Sequence, residues 1–321
     1  MTDLPPPYRP LRGAPPPHFV DRHDEDDPDG PRLVAGAVTA YQRGPADPRF
    51  HRLVSAPAGL GKTSLLRTVG REAVRQLGWT VVQHRCRPKQ AVVRVLSEAV
   101  LAELGGAARE GGRGRLAAMA RHPSVAGPLL GPLPGPLLGP LSGPARAGAP
   151  SLGSPAEAPW AAFGRLMRVV GRVCRGRGEG VLLTLDDADR LGAGDLEALV
   201  HLCRTLSAEQ LPVAFLLAGG GDLAGRAVRA QGLAGTIWLT HLAPFDDAES
   251  REAVVVPAAD RGVDLEEAAV GLLCDAAAGS PLDLQRLAFG AWSRADGPVV
   301  RLADVEAALA SECWPEQRPA C

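Results

Sequence analysis

The sequence predicts an α/β fold, in which a parallel sheet flanked by helices is followed by a smaller all-helical domain. Segments with strand and helix periodicity alternate up to about residue 243, and this alternation is typical of parallel sheets with right-handed crossovers. A glycine-rich turn separates the first strand from the helix after it. Beyond Pro244 the periodicity is helical only.

Within the α/β part, residues 31–243, five apolar runs have the length and composition of strands: 50–55, 80–86, 181–185, 213–218 and 236–242. The run VLLTL at 181–185 is almost wholly apolar, as expected of a central parallel strand buried on both faces. Helices are predicted over 62–77, 90–104 and 194–208. A further helix places one apolar face toward the core: Trp160, Phe163, Leu166, Met167, Val170 and Cys174.

A small all-helical domain is predicted over 244–311, with helices at about 247–259, 264–278, 282–293 and 302–311. The second of these helices opens with Asp264 and has Glu267 three residues later, which fits a capping box. A tail follows at 312–321.

Two segments have compositions that oppose regular structure. Residues 1–30 are Pro-rich and then acidic, and are predicted to be a flexible N-terminal arm. Residues of about 106–156 contain the repeat GPLLGPLPGPLLGPLS, where proline removes backbone donors and glycine resists ordering. The period of four excludes collagen. We expect this segment to be a flexible insertion. The alternative is that it serves as the ligand of a Pro-binding partner.

The overall charge gives no indication of a polyanionic partner. The net charge is −1 and the sequence pI is about 6.7, so DNA binding is possible but not indicated by charge. The six cysteines form no CxxC pair. No signal peptide and no run of 18 apolar residues is present, so the sequence predicts a cytoplasmic protein without a membrane span.

The segment APAGLGKT at 56–63 has the pattern of a phosphate-binding loop, or P-loop. Such a loop needs small residues, inward-facing backbone N–H groups and a helix N-terminus toward the anion. Lys62 is expected to neutralise the β- and γ-phosphates of ATP, and the Thr63 hydroxyl to ligate Mg²⁺. The predicted nucleotide-binding residues here are Pro57, Ala58, Gly59, Leu60, Gly61, Lys62, Thr63 and Ser64. Ala56 replaces the usual first glycine, and a ligand-free Gly-rich turn is the alternative.

An acidic pair follows the strand at 181–185, where the carboxyl edge of a parallel sheet binds ligands. Asp186 is expected to hold Mg²⁺ through water. Asp187 is expected near the attacking water and, with Lys62, is the predicted catalytic residue. An ordinary solvated turn is the alternative. Asp187 is shorter than the glutamate many such ATPases carry, so slow hydrolysis is expected. The run Gly219–Gly221 is interpreted as a flexible turn.

These motifs resemble the AAA+-like ATPases of the origin-recognition and STAND type. The segment FVDR at 19–22 resembles the FVGR segment that precedes the core in these proteins. LVSAPAGLGKTSLL at 53–66 resembles their Walker A motif, and LDDAD at 185–189 resembles their Walker B motif. GSPL at 279–282 resembles a turn of their helical lid. The resemblance implies that Val20 and Arg22 lie against the adenine and that Pro281 approaches the nucleotide.

The sequence departs from the family pattern in its arginines. Leu282 occupies the position where many AAA+ proteins carry a sensing arginine, and Arg286 follows one turn later. No arginine finger is identified, since Arg226 and Arg229, which follow the fourth strand, also fit simply solvated side chains. No winged-helix module is expected after the lid.

The leading hypothesis is an ATP-binding switch with slow hydrolysis, which responds through the lid, through self-association or through a protein partner. The alternatives are a DNA-associated ATPase of origin-recognition type and a nucleotide-binding scaffold without turnover. A P-loop kinase is less consistent with the helical C-terminal domain.

Overall fold

The computed structural model describes residues 5–9, 16–24, 27, 30–88, 90–106, 159–231 and 235–311. Residues 107–158, which hold the predicted Gly/Pro insertion, and the predicted tail lie outside the described residues. The chain forms two compact units. One, here called the P-loop unit, comprises residues 1–36, 54–69 and 240–321, and the other, the sheet unit, comprises 37–53 and 70–239.

The predicted parallel sheet is confirmed and has five strands. They are β1 (Arg52–Ser55), β2 (Thr80–Arg85), β3 (Val181–Asp186), β4 (Val213–Gly219) and β5 (Trp238–His241), in the order β2-β3-β4-β1-β5. The pairs β2–β3 and β3–β4 are parallel, with Val82 beside Leu183 and Leu183 beside Phe215. Every residue of β3 and β4 is buried, which explains their continuous apolar composition.

Among the described residues, six α-helices accompany the sheet: α1 (Leu33–Arg43), α2 (Lys62–Leu77), α3 (Val92–Gly106), α4 (Pro159–Arg175), α5 (Ala193–Ala208) and α6 (Leu223–Gln231). A short 3₁₀ helix covers Ala188–Arg190. The helices α1 and α6 and the 3₁₀ turn were not predicted from the sequence. The predicted apolar face of α4 is confirmed, because its residues from Phe163 to Cys174 are buried in the core of the sheet unit.

A buried histidine lies at the start of β1. His51 Nδ1 accepts a hydrogen bond from the Phe215 backbone N–H at 3.2 Å, so its proton lies on Nε2, which donates to the Ser207 hydroxyl at 3.0 Å. Burial lowers the pKa of His51 to about 3. The imidazole is therefore neutral and serves as a structural connection inside the sheet unit.

The lid domain has the four predicted helices: α7 (Asp247–Ala259), α8 (Glu267–Ala277), α9 (Pro281–Trp292) and α10 (Leu302–Ser311). Two short parallel strands that were not predicted, β6 (Asp264–Leu265) and β7 (Val299–Val300), accompany them.

The predicted capping box at Asp264 and Glu267 is wrong. Asp264 pairs with Val299 in β6, so its backbone is extended, and α8 begins later, after Glu266, without a side-chain cap. The capping box of the lid lies instead at α7, where Asp246 and Glu249 bond to each other's backbone N–H groups. The segments that begin at Asp264 and at Asp246 both have a glutamate three residues after the aspartate, and only the pairing of Asp264 in β6 distinguishes the wrong prediction from the observed capping box.

The described part of residues 1–30 packs within the P-loop unit, where the sequence predicted a flexible arm. The Tyr8 hydroxyl donates to the Val254 carbonyl at 2.8 Å, and its ring meets Trp292 edge-on with 6.0 Å between centroids. Tyr8 and Val20 are both only 3% exposed. Burial of these two side chains favours the ordered segment, and the prolines before Tyr8 lower the entropy lost on ordering.

Candidate functional site

The predicted P-loop connects β1 to α2, and α2 begins at Lys62 as the motif requires. Gly59 and Gly61 have φ values of +92° and +86°, which side chains with a Cβ rarely adopt. The two glycines therefore give the loop a shape that few other residues permit. Ala56, the departure from the usual pattern, is not among the residues with positive φ.

Two carbonyl groups early in the loop accept hydrogen bonds from its own lysine. Lys62 Nζ donates to the carbonyl oxygens of Ala56 and Pro57 at 2.7 Å each. The ammonium group therefore lies against the first residues of the loop.

Two later carbonyl groups accept hydrogen bonds from other segments of the P-loop unit. The Leu282 N–H donates to the Gly59 carbonyl at 3.3 Å, and the Arg22 guanidinium donates to the Leu60 carbonyl. In a trans peptide the C=O and the following N–H point in opposite directions. The N–H groups of Leu60 and Gly61 consequently face away from these donors.

Arg22 is buried, at 7% exposure, and connects three segments. Besides the Leu60 carbonyl it donates to the Ala243 carbonyl at 2.6 Å, and its guanidinium lies 4.8 Å from the centre of the Phe245 ring. Burial lowers the pKa of Arg22, while the charges of Glu249 and Asp21 act in the opposite direction.

Asp21, which stands where the family has glycine, fixes the segment that carries Arg22. Its carboxylate accepts hydrogen bonds from the backbone N–H groups of Val34, at 2.9 Å, and Ala35, at 3.3 Å, in the first turn of α1. Burial raises the pKa of Asp21, and these two hydrogen bonds oppose that shift. Asp21 thus caps α1 and positions its neighbour.

The lid turn at 279–282 lies close to the P-loop within the same unit. Gly279 has φ +72°, and a Cβ there would lie 2.6 Å from the Phe245 carbonyl oxygen, so glycine is required. Ser280 caps α9 by accepting from the Asp283 N–H at 3.3 Å, and Pro281 begins the helix. A Cβ on Gly59 would lie 3.4 Å from the Ser280 hydroxyl.

Within the P-loop unit the structure therefore brings together Arg22, Pro281 and the loop residues, among them Thr63 and Ser64 in the first turn of α2. Val20 differs from its predicted place, because its side chain packs in the apolar cluster of the lid.

The two predicted acidic residues belong to the sheet unit. Asp186 is the last residue of β3; its carbonyl accepts from the Cys86 N–H at 2.8 Å, and its carboxylate from the Asp187 N–H at 3.1 Å. Asp187 adopts a left-handed conformation, with φ 53°. Its carboxylate pairs with Arg85 Nε at 2.7 Å and lies 3.7 Å from Arg190. The strand β4 lies between β3 and β1 in the sheet.

A third acid, which the sequence did not single out, orders the glycine turn after β4. The Asp189 carboxylate accepts from the Gly220 N–H at 3.1 Å, and a Cβ on Gly219 would lie 2.8 Å from the Asp189 backbone nitrogen. The turn at Gly219–Gly221, which was predicted to be flexible, is therefore fixed by the contacts of Gly219 and Gly220 with Asp189. Its signal in the sequence was the acid two residues after Asp187.

The candidate arginines are engaged within their own units. Arg226 donates to the carbonyl oxygens of Asp189, at 2.9 Å, and Leu191, and so fixes the turn after β3. Arg229 pairs with Asp222 at 2.6 Å, and Arg286 with Asp283 at 3.2 Å.

The donor set suits a nucleotide with Mg²⁺. Backbone N–H groups on the side opposite to the held carbonyls, a lysine and a helix N-terminus are groups that bind phosphates. In the described part of the chain no group of three His, Cys, Asp or Glu residues could hold a metal. Mg²⁺ in nucleotide sites takes one or two protein ligands together with phosphate oxygens, so a nucleotide site does not need such a group of residues.

The parallel sheet, the loop at its β1 end and the helical lid define a P-loop nucleoside triphosphatase. The AAA ATPase domain family matches residues 36–216, more than half of the chain, and the chain belongs to this family. It is therefore a nucleotide-binding ATPase by family.

Two solved structures show the same fold at low sequence identity. The chain is similar to the ORC2 protein of Aeropyrum pernix, solved as ADPNP–ADP complexes, with a TM-score of 0.52, 15% identity, and 91% of this chain and 69% of that one covered. It is similar to a Walker-type ATPase of Pyrococcus abyssi, with a TM-score of 0.55, 13% identity and coverage of 91% and 75%. The Holliday junction branch migration motor RuvB of Thermotoga maritima matches at TM-score 0.45, 14% identity and coverage of 86% and 66%.

The chain thus spans about two thirds to three quarters of the length of these proteins. The predicted resemblance to origin-recognition ATPases is confirmed at the level of the fold. No curated protein gives a significant match to the sequence. Among the described residues, no helix is long and apolar enough to cross a membrane.

Proposed function

We propose that this AAA ATPase binds ATP·Mg²⁺ at the loop 56–63, hydrolyses it slowly, and acts as a nucleotide-dependent regulatory switch of the STAND type. The observation that carries the proposal is the direct bond from the first turn of the lid helix α9 to the P-loop, Leu282 N–H to Gly59 carbonyl. A change in the loop on nucleotide binding reaches the lid through this bond.

Lys62 supplies the first step. Its ammonium group exchanges the Ala56 and Pro57 carbonyls for β- and γ-phosphate oxygens, which are charged and therefore stronger acceptors. The Thr63 hydroxyl at the start of α2 and the Asp186 carboxylate would hold Mg²⁺, and the ion would supply positive charge to neutralise the developing phosphate charge.

The Asp187 carboxylate orients the attacking water. Two features keep this step slow. The side chain is short, and Arg85 competes with water for the same carboxylate oxygen. The ORC2 protein of similar fold was solved as ADPNP–ADP complexes, which supports nucleotide binding as part of the proposal.

The partners that follow from a switch are ATP and ADP themselves, together with a second copy of the chain or a protein that reads the lid. We propose that the ATP and ADP states differ in lid conformation or in self-association. The warrant is the set of bonds that Leu282 and Arg22 make to the loop, since neither can stay unchanged if the loop moves.

Steady-state ATP turnover of the purified protein tests the enzymatic part of the proposal. We expect slow turnover that is lost in Lys62→Ala and kept in Lys89→Ala, which removes the other lysine of the chain. Equal turnover in all three proteins would refute the assignment of the loop. No turnover in any of them, with tight ATP binding that only Lys62→Ala removes, would leave a nucleotide-binding scaffold.

The switch itself is tested by hydrogen–deuterium exchange with ATP, with ADP and without nucleotide, in parallel with sedimentation velocity. We expect peptides from the turn 279–282 and α9 to change protection between the two nucleotides. Identical exchange of the lid and identical sedimentation in both states would refute the switch, whatever the rate of turnover.

A further inference from the structure

The resemblance implied that Arg22 contacts the base of the nucleotide, yet its guanidinium is already committed elsewhere. It donates to the Leu60 and Ala243 carbonyls and stacks on Phe245. With 7% exposure, the side chain has little surface on which to meet a ligand.

The bond to Leu60 determines how one peptide of the loop is oriented. Because the Leu60 carbonyl faces Arg22, the Gly61 N–H of the same planar peptide faces the opposite side of the loop. Gly61 can take this orientation because its φ of +86° is accessible to glycine. A Cβ on Gly61 would lie 3.2 Å from an Arg22 nitrogen, so the guanidinium lies directly against this peptide.

The opposite end of the same guanidinium holds the chain that enters the lid. Ala243 and Phe245 precede α7, and the Phe245 N–H donates to the Gly279 carbonyl at 2.8 Å, beside the lid turn. One buried charge thus connects the peptide that would bind phosphate with the segment that would respond to it.

We propose that Arg22 is a positioning residue, which orients the Gly61 N–H toward the phosphates and couples the P-loop to the lid, and that it does not read the base. The inference rests on the proposed function, since it takes the loop 56–63 to be the phosphate site. It differs from that function in assigning Arg22 to loop geometry instead of ligand contact.

Positioning the loop and contacting the base are two roles of Arg22 that predict different effects on the affinities for ATP and GTP. A residue that orients a phosphate-binding peptide affects ATP and GTP alike, because the two share their phosphates. A residue that contacts the base affects the ratio of the two affinities. The test therefore measures the binding of ATP, ADP and GTP by isothermal titration to the wild-type protein and to Arg22→Ala and Arg22→Lys.

We expect Arg22→Ala to weaken the three nucleotides by a common factor of roughly 10 to 100, the range for a lost hydrogen bond to a charged group. The ATP-to-GTP affinity ratio stays as in the wild type. Arg22→Lys retains the charge but not the planar fork that serves two carbonyls at once, so it recovers only part of the affinity. Arg251→Ala, in the same unit, removes an exposed arginine paired with Glu267 and should change none of the values.

A changed ATP-to-GTP ratio in Arg22→Ala would overturn the proposal in favour of base contact. Wild-type affinities in both Arg22 variants would overturn it too. If Arg22→Ala does not fold, hydrogen–deuterium exchange of Arg22→Lys decides, with faster exchange in the loop peptide as the expected result and wild-type exchange there as the refuting one. Wild-type protein that binds no nucleotide would refute the proposed function, an outcome separate from failure of the Arg22 variants alone.

Discussion

Replacement of Gly61 by alanine tests whether the left-handed shape of the P-loop is needed for nucleotide binding. Gly61 has φ +86°, and an L-residue held in such a conformation costs about 1–2 kcal/mol. The new Cβ would also lie 3.2 Å from an Arg22 nitrogen. The loop can relieve this strain by rotating the Leu60–Gly61 peptide, which breaks the Arg22 bond.

Gly44 provides a matched control with the same backbone strain and no role in the site. Its φ is +85°, and no atom lies within 4 Å of a Cβ built there. We expect Gly44→Ala and Gly61→Ala each to lower the apparent melting temperature by a few degrees, since 1 kcal/mol corresponds to about 2–4 °C in proteins of this size. Only Gly61→Ala should weaken binding, by at least about tenfold if the reoriented N–H is worth one charge-assisted hydrogen bond.

The assay is titration with a fluorescent ATP analogue, combined with thermal unfolding of both variants. Binding by Gly61→Ala at wild-type affinity, with the same loss of stability as Gly44→Ala, would show that the left-handed loop is not needed. Loss of binding in both variants would show that the effect comes from global destabilisation.

Three further outcomes follow from single contacts. Arg85→Ala should raise ATP turnover, because it removes the ion pair on Asp187. The Arg85 side chain is 70% exposed, so the gain should not exceed about fivefold. Unchanged steady-state turnover would show that this ion pair does not limit hydrolysis. Tyr8→Phe should lower the free energy of unfolding by about 1–2 kcal/mol, because it removes the donor to the buried Val254 carbonyl. A denaturant midpoint equal to that of the wild type would contradict the packing of residues 5–9. His51 should make the protein acid-sensitive, because its folded pKa of about 3 lies below that of an unfolded histidine near 6.5. Its contribution to stability is fully present above pH 6.5 and falls by about 1.4 kcal/mol per pH unit between pH 6.5 and about 3. The pH-dependent unfolding of His51→Gln should lack this component.

The periodicity of the sequence was sufficient to predict the fold. The strand at 181–185 and the helices at 62–77, 247–259 and 302–311 agree closely with the structure, because buried parallel strands and amphipathic helices carry their packing in their own residues. The helix α1 (LVAGAVTAYQR) was missed, although its apolar residues recur with a helical period.

The local chemistry of the P-loop was also predictable, because it depends on neighbours in sequence. Gly59 and Gly61 with positive φ and Lys62 at the start of α2 follow from the motif alone. The partners of this loop did not follow from it. Arg22 precedes Leu60 by 38 residues and Ala243 by 221, and no local pattern relates them.

The sequence by itself therefore determined the fold class, the positions of the five sheet strands along the chain and the residues of the candidate phosphate site. Only the tertiary structure decided that Tyr8 and Val20 are buried, that Asp264 belongs to a strand, that Arg85 pairs with Asp187, and that Arg22 faces the loop. The physical reason is the range of the interactions. Periodicity and turn conformation are set within a few residues, whereas burial and ion pairing depend on which distant segments the fold brings into contact.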